Sequence, residues 1–204
     1  CVLIARTYLG DDDFVMYLGD NMLQQDLTAM SKKFEADRSI SSTACRILLK
    51  QVQNPSSFGI AVIDESGAVV NLEEKPSEPL SDLALVGVYF FTPSIHEAVE
   101  SIVPSDRGEL EITDINRVYL NEKKLSVQLL GRGHAWLDTG THQTLLEASS
   151  FIGMVESRQG WKISCIEEIA FRMGYISSIE LETLSKSYNN EYGEYLLKIS
   201  KIDL

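Results

Sequence analysis

Short apolar runs, each ended by turn formers, dominate the pattern along this chain. Leu83 to Phe91 is apolar throughout. A run of that length without polar alternation predicts a strand buried on both faces. Phe14-Val-Met-Tyr-Leu runs into Gly19-Asp20-Asn21, and Ala135-Trp136-Leu137 runs into Asp138-Thr139-Gly140. The first reads as a buried strand of a parallel sheet, and the second ends the same way. Ser42 to Leu49 and Leu125 to Leu130 are further strands. Phe58 to Asp64 and Ala68 to Glu73, joined by Glu65-Ser66-Gly67, predict a hairpin with Gly in its turn. Pro76 closes it.

Helical spacing fills the gaps between these runs. Cys1 to Leu9 reads as a helix stopped by Gly10. Asp26 caps a helix running to about Glu35, with Leu27, Met30 and Phe34 on one side. Pro93 starts a short helix, and Leu110 to Glu122 is amphipathic through Ile112, Ile115, Val118 and Tyr119. After Gly140 the pattern changes. Thr141 caps a helix to about Ser157, and helices follow over Ile166 to Met173, Ser178 to Leu184 and Glu191 to Ile199. Only Trp161-Lys162-Ile163 offers a short strand there. The expected layout is an α/β core over 1–140, with a mixed, mainly parallel sheet, and a helical extension over 141–204.

Composition narrows the function classes. The chain has 204 residues and a net charge of −12. A nucleic-acid binder shows a basic stripe, so that class is set aside. The longest apolar run is too short to span a bilayer, and no signal-peptide pattern is visible. A cytoplasmic protein is expected. Cys1, Cys45 and Cys165 are odd in number and widely spaced, which fits reduced, structural thiols. The chain opens at Cys1 within a helical pattern, so an N-terminally incomplete protein is expected.

Ligands of open α/β sheets bind beyond the carboxyl ends of strands. Asp20 and Asp138 stand at two such ends, far apart in sequence. Carboxylates from two strand ends suit Mg²⁺, which takes one or two carboxylates together with waters and substrate phosphates. The bland alternative is that each Asp caps the helix after it. Glu74-Lys75-Pro76 offers a carboxylate for sugar hydroxyls and an ammonium for a phosphate, or simply a solvated surface pair. Arg107 precedes a helix and can pair with a phosphate. Gly59 leaves room for close approach of a ligand, or merely begins a strand. His134 and His142 flank Asp138, but a His-ligated metal is disfavoured.

Leu18-Gly19-Asp20-Asn21, Glu73-Glu74-Lys75-Pro76, Val86-Gly87-Val88-Tyr89-Phe90, Arg107 to Asn116 and Trp136 to His142 occur in family order. With the tail Cys165-Ile-Glu-Glu-Ile-Ala-Phe-Arg172, this ordered set resembles the glucose-1-phosphate thymidylyltransferases over essentially the whole chain. The resemblance implies a Rossmann-like nucleotidyltransferase core. It implies Mg²⁺-dependent transfer from dTTP to glucose 1-phosphate, giving dTDP-glucose and pyrophosphate. Asp20 and Asp138 would bind Mg²⁺. Gly59, Glu74, Tyr89 and the backbone near Leu85 would hold glucose, and Lys75 and Arg107 its phosphate. The family's usual homo-oligomer, a tetramer or dimer, is implied too. A UTP-dependent or other sugar-1-phosphate nucleotidyltransferase, or a non-catalytic regulatory relative, stands as the alternative. The family's glycine-rich signature, with its Arg and a following Lys, is not in this sequence, so these residues alone are expected to be inactive. Met22 to Asp26 also departs from the Tyr-Gly-His pattern that lines a regulatory nucleotide site in many bacterial members.

Overall fold

A computed structural model describes residues 2–106 and 108–202. The chain divides into two compact units, Cys1–Thr141 and His142–Leu204.

The first unit opens with α1 (Val2–Leu9) and β1 (Phe14–Tyr17), followed by β2 (Asn21–Leu23) and α2 (Leu27–Ile40). Then come β3 (Cys45–Gln51), a 3₁₀ turn at Pro55–Ser57, and the hairpin β4 (Gly59–Ile63) and β5 (Val69–Glu74). The unit continues with β6 (Leu83–Phe91), α3 (Ile95–Ser101), α4 (Ile112–Asn121), β7 (Leu125–Leu129) and β8 (Trp136–Asp138). Asp26 caps α2 as expected, accepting from the Thr28 backbone N–H at 2.8 Å. The helix runs a full turn beyond Glu35, to Ile40.

The main sheet has the order β5-β4-β6-β3-β7, with β1 also paired to β6. It is mixed, as expected, but not mainly parallel among the described strands. Only β3–β7 is a parallel pair, while β1–β6, β3–β6, β4–β5 and β4–β6 are antiparallel. An apolar run reports burial on both faces and not strand direction. Alternate residues of β6 enter two different cores. Leu85, Tyr89 and Phe91 pack with Ile95, Val99, Ile115 and Tyr119. Val86, Val88 and Phe90 pack with Met30, Phe34 and Leu48. Helices α3 and α4 thus cover one face and α2 the other. The strand at Phe14 is likewise not fully buried. Its residues alternate between half-buried and exposed, and it pairs antiparallel with β6.

One edge of β6 is shared. β4 pairs with it at Leu83 and Ala84, and β1 pairs with it from Val88 to Phe91. Between them, Leu85 to Gly87 have no strand partner on that edge. The chain leaves β1 into this gap: the Leu18 N–H donates to the Gly87 carbonyl at 2.8 Å. It then forms β2, which pairs antiparallel with β8 in a separate two-stranded sheet, Asn21 opposite Asp138 and Leu23 opposite Trp136.

The second unit contains α5 (His142–Gln159), α6 (Ile166–Arg172), α7 (Ser178–Ser185) and α8 (Glu191–Ile199). Its core is Cys165, Phe171, Leu181, Tyr195, Leu196 and Ile199. Ser177 and Glu180 form a reciprocal capping box at the start of α7. Asn190 caps α8 by accepting from the Tyr192 and Gly193 N–H groups. Trp161 to Ile163 is not a strand. Glu156 holds it instead, accepting from the Ile163 N–H at 3.0 Å and from Lys162 Nζ at 2.9 Å. Cys45 and Cys165 are free, buried thiols; Cys1 lies outside the described residues. Among the described residues no helix is long and apolar enough to cross a membrane.

Candidate active site

The gap on the edge of β6 opens into a cleft of about 410 Å³. Its lining includes Asp20, Gly59, Glu74, Lys75, Leu85, Tyr89 and Asp138. Every site residue named from the sequence is there except Arg107, which lies outside the described residues.

The β2–β8 ladder brings the two aspartates together. The Thr139 N–H and Oγ1 both donate to the Asp20 carbonyl, at 2.7 and 2.8 Å, which locks the strand ends side by side. Neither carboxylate caps a helix. Asp138 Oδ1 accepts from the Gly140 N–H at 3.2 Å, and Asp20 Oδ1 accepts from Asn21 Nδ2 at 2.9 Å. Burial pushes the Asp138 carboxyl above its usual range, and the nearby Asp20 charge adds to that. The Gly140 N–H and Lys75 pull it back. A neighbouring carboxylate that raises the cost of ionising Asp138 in a cleft favours a bound cation. Among the described residues no group of three His, Cys, Asp or Glu side chains could hold a metal. Two carboxylate oxygen donors suit a hard divalent cation such as Mg²⁺, which takes waters and substrate phosphates as its other ligands.

The hairpin supplies the other wall. Gly59 and Glu74 are directly opposed in the β4–β5 ladder. Thr113 Oγ1, fully buried in the first turn of α4, donates to Glu74 Oε2. A Cβ on Gly59 would stand 2.8 Å from Thr113 Oγ1 and 2.9 Å from Glu74 Oε2, so only glycine fits beside this pair. Lys75, the next residue, has φ +42. An L residue in the left-handed region is strained. The turn that ends β5 imposes it, with the Lys75 N–H bonded to the Phe58 carbonyl at 3.0 Å. Tyr89 is almost completely buried, and burial first, then the Glu74 charge, push its hydroxyl well above the usual range.

Sequence reasoning passed over Asn21, Gly87, Thr113 and the Phe58–Trp136 wall, whose rings lie 5.2 Å apart. One signal was available. A glycine inside a nine-residue apolar strand marks close approach of another group, and Gly87 is that glycine.

Residues 1–154 match the Nucleotidyl transferase family. A glucose-1-phosphate thymidylyltransferase of Neisseria meningitidis serogroup A is 42% identical over 200 residues, 98% of this chain and 68% of that protein. The crystal structure of a glucose-1-phosphate thymidylyltransferase from Bacillus anthracis in complex with a sucrose superposes with a TM-score of 0.65 at 33% identity. It covers 72% of this chain and 57% of that one. A UDP-glucose pyrophosphorylase complexed with UDP-glucose has a TM-score of 0.64 at 22% identity, over 74% of this chain and 59% of that one, and shares the fold alone. The chain spans about two thirds of the length of the curated relative. With its mixed sheet, its cleft at the gap in β6 and these relatives, the chain belongs to the nucleotidyl transferase family, among the glucose-1-phosphate thymidylyltransferases.

Proposed function

We propose that the protein catalyses nucleotidyl transfer from dTTP to glucose 1-phosphate, with dTDP-glucose and pyrophosphate as products. The observation that carries this reading is the convergence of Asp20, Asp138, Glu74, Lys75, Gly59, Leu85 and Tyr89 on one cleft. In the reaction, a phosphate oxygen of the sugar phosphate attacks the α-phosphorus in line. A new P–O bond forms there, and the bond to the β-phosphate oxygen breaks as pyrophosphate leaves.

Glu74, oriented by Thr113, accepts hydrogen bonds from glucose hydroxyls. Gly59 lets the ring approach the hairpin, and the β6 backbone at Leu85 and the Tyr89 side chain complete the sugar pocket. Lys75 and Arg107 hold the sugar's phosphate. Holding two anions in attack geometry removes much of the entropic cost of their reaction. Asp20 and Asp138 would hold Mg²⁺, which when bound neutralises charge on the triphosphate and on the departing pyrophosphate. The helical unit is assigned to subunit contacts of a dimer or tetramer, and a monomer in light scattering would refute that assignment.

A pyrophosphate-release assay on the protein from its native source, with glucose 1-phosphate and either dTTP or UTP, tests the reading. Turnover preferring dTTP is expected. Preference for UTP would make it a uridylyltransferase, and no release with any nucleotide would favour a non-catalytic relative.

A further inference from the structure

We infer that Asn21 is a positioning residue for Asp20, and that its amide is locked in one orientation to do so. This rests on the reading of Asp20 and Asp138 as a divalent-cation pair. Asn21 Oδ1 accepts two hydrogen bonds, from the Trp136 indole N–H at 2.6 Å and from the Gly87 backbone N–H at 3.1 Å. Both partners are donors only. They fix which end of the amide is oxygen, and so Nδ2 must face the other way. There it donates to Asp20 Oδ1 at 2.9 Å. An amide N–H on one carboxylate oxygen holds the rotamer of Asp20.

The fold around Asn21 is arranged for this contact. Gly87 sits in the gap between β4 and β1, where β6 has no strand partner on that edge. Its N–H would lack a ladder acceptor, and the Asn21 side chain supplies one. A Cβ at Gly87 would fall 2.5 Å from Asn21 Nδ2 and 2.7 Å from its Cγ, so only glycine admits the amide. Trp136 lies on β8, two residues before Asp138. One side chain thus ties the central strand, the strand carrying one aspartate, and the carboxylate of the other. The same bonds hold β2 in place, so a purely structural role must be separated from a positioning role.

Mn²⁺ serves as the probe, with free ion counted by electron paramagnetic resonance, with and without inorganic pyrophosphate. Melting curves are taken alongside. Asn21→Ala and Asn21→Ser remove the amide, and Gly87→Ala displaces it while leaving Asn21 in the sequence. Loss of a residue that orients a metal ligand weakens metal binding ~10- to 100-fold. That loss is expected in all three variants, scored per folded molecule, and complete loss is expected in Asp20→Asn. Wild-type Mn²⁺ affinity in a folded Asn21→Ala or Asn21→Ser, with binding lost in Asp20→Asn, would overturn the positioning role and leave the cation pair standing. Failure of the wild-type protein to bind Mn²⁺ under either condition would overturn both.

Discussion

Gly59→Ala is the sharpest test of the sugar wall, because the backbone tolerates it and the neighbours do not. Gly59 lies in an ordinary strand with no positive φ. Alanine is therefore allowed there by conformation, and the whole effect comes from contacts. The new methyl would meet Thr113 Oγ1 at 2.8 Å and Glu74 Oε2 at 2.9 Å. Thr113 is fully buried in α4 and has nowhere to go, so the Glu74 carboxylate must swing away and lose its hydrogen bond. A hydrogen bond to a charged group is worth about 1.5–3 kcal/mol, a factor of ~10 to 150 in affinity. If Glu74 holds glucose, the KM for glucose 1-phosphate should rise by about that factor in a pyrophosphate-release assay, with the KM for dTTP little changed. Gly67→Ala is the matched control. Gly67 has φ +84 and nothing within reach of a Cβ. It should cost ~1–2 kcal/mol of stability through backbone strain and leave both KM values alone. An unchanged sugar KM in Gly59→Ala, or equal rises for both substrates, would refute the placement of Glu74 on the sugar.

Other consequences are equally direct. Asp138→Asn should cut turnover ~100-fold or more, the scale of losing one electrostatic contact to a transition state. Burial already opposes ionisation of Asp138, so its melting temperature should hold or rise slightly, and near-normal turnover would remove Asp138 from the site. In the helical unit, the Tyr192 hydroxyl first, and the Tyr188 hydroxyl after it, hold the Glu167 carboxyl below its usual range. A depressed folded-state pKa contributes stability above the free-glutamate value of about 4.3 that is lost as pH falls through the folded value. The melting difference between wild type and Tyr192→Phe should therefore shrink as pH is lowered from 6 to about 3, and a difference that grew would refute the sign. Leu181→Ala, at a side chain with no exposed surface, should lower stability by ~2–5 kcal/mol in urea unfolding.

Strand existence was legible from the sequence because burial writes itself into composition. The bounds read for β6 and α8 match the structure, since each is a dense apolar or amphipathic segment between clear stops. Strand direction was not legible, because Leu83 to Phe91 looks the same whether its neighbours run parallel or antiparallel. β2 was missed for a related reason. Asn21-Met22-Leu23 is three half-buried residues with no alternation to read, and only its partner β8 makes it a strand. Asp20 and Asp138 were singled out by their place at strand ends, although it is β2, the strand that follows Asp20, and not β1 before it, that meets β8 in a small separate ladder. The residues passed over, Asn21 and Thr113, act by orienting a neighbour, and a single sequence carries no mark for that. The positions that break local rules still cluster at the cleft: a glycine inside β6, a lysine at positive φ, and a carboxylate beside a carboxylate. Structural needs alone would favour removing each of them.

The charge of the cleft argues for a cation there, and yields a test that does not depend on turnover. Asp20, Glu74 and Asp138 line it, with Lys75 as the basic residue among the described lining, on a chain of net charge −12. Unit charges 4 Å apart interact by ~4 kcal/mol at the effective dielectric of a protein surface. A diphosphate entering beside two carboxylates is therefore opposed unless a cation lies between them, whereas glucose hydroxyls meeting Glu74 feel no such opposition. Binding of dTDP-glucose, followed by calorimetry, should weaken about tenfold or more when EDTA strips divalent ions, and Mg²⁺ should restore it. Raising monovalent salt to about 1 M shortens the screening length to roughly 3 Å; it should recover part of the loss and no more, because screening weakens repulsion without supplying a ligand bridge. If dTDP-glucose binds equally well in EDTA, the repulsion is being met by protein cations alone. Asp20 and Asp138 would then lose their role as a metal pair, while the sugar wall built on Gly59, Glu74 and Thr113 would stand.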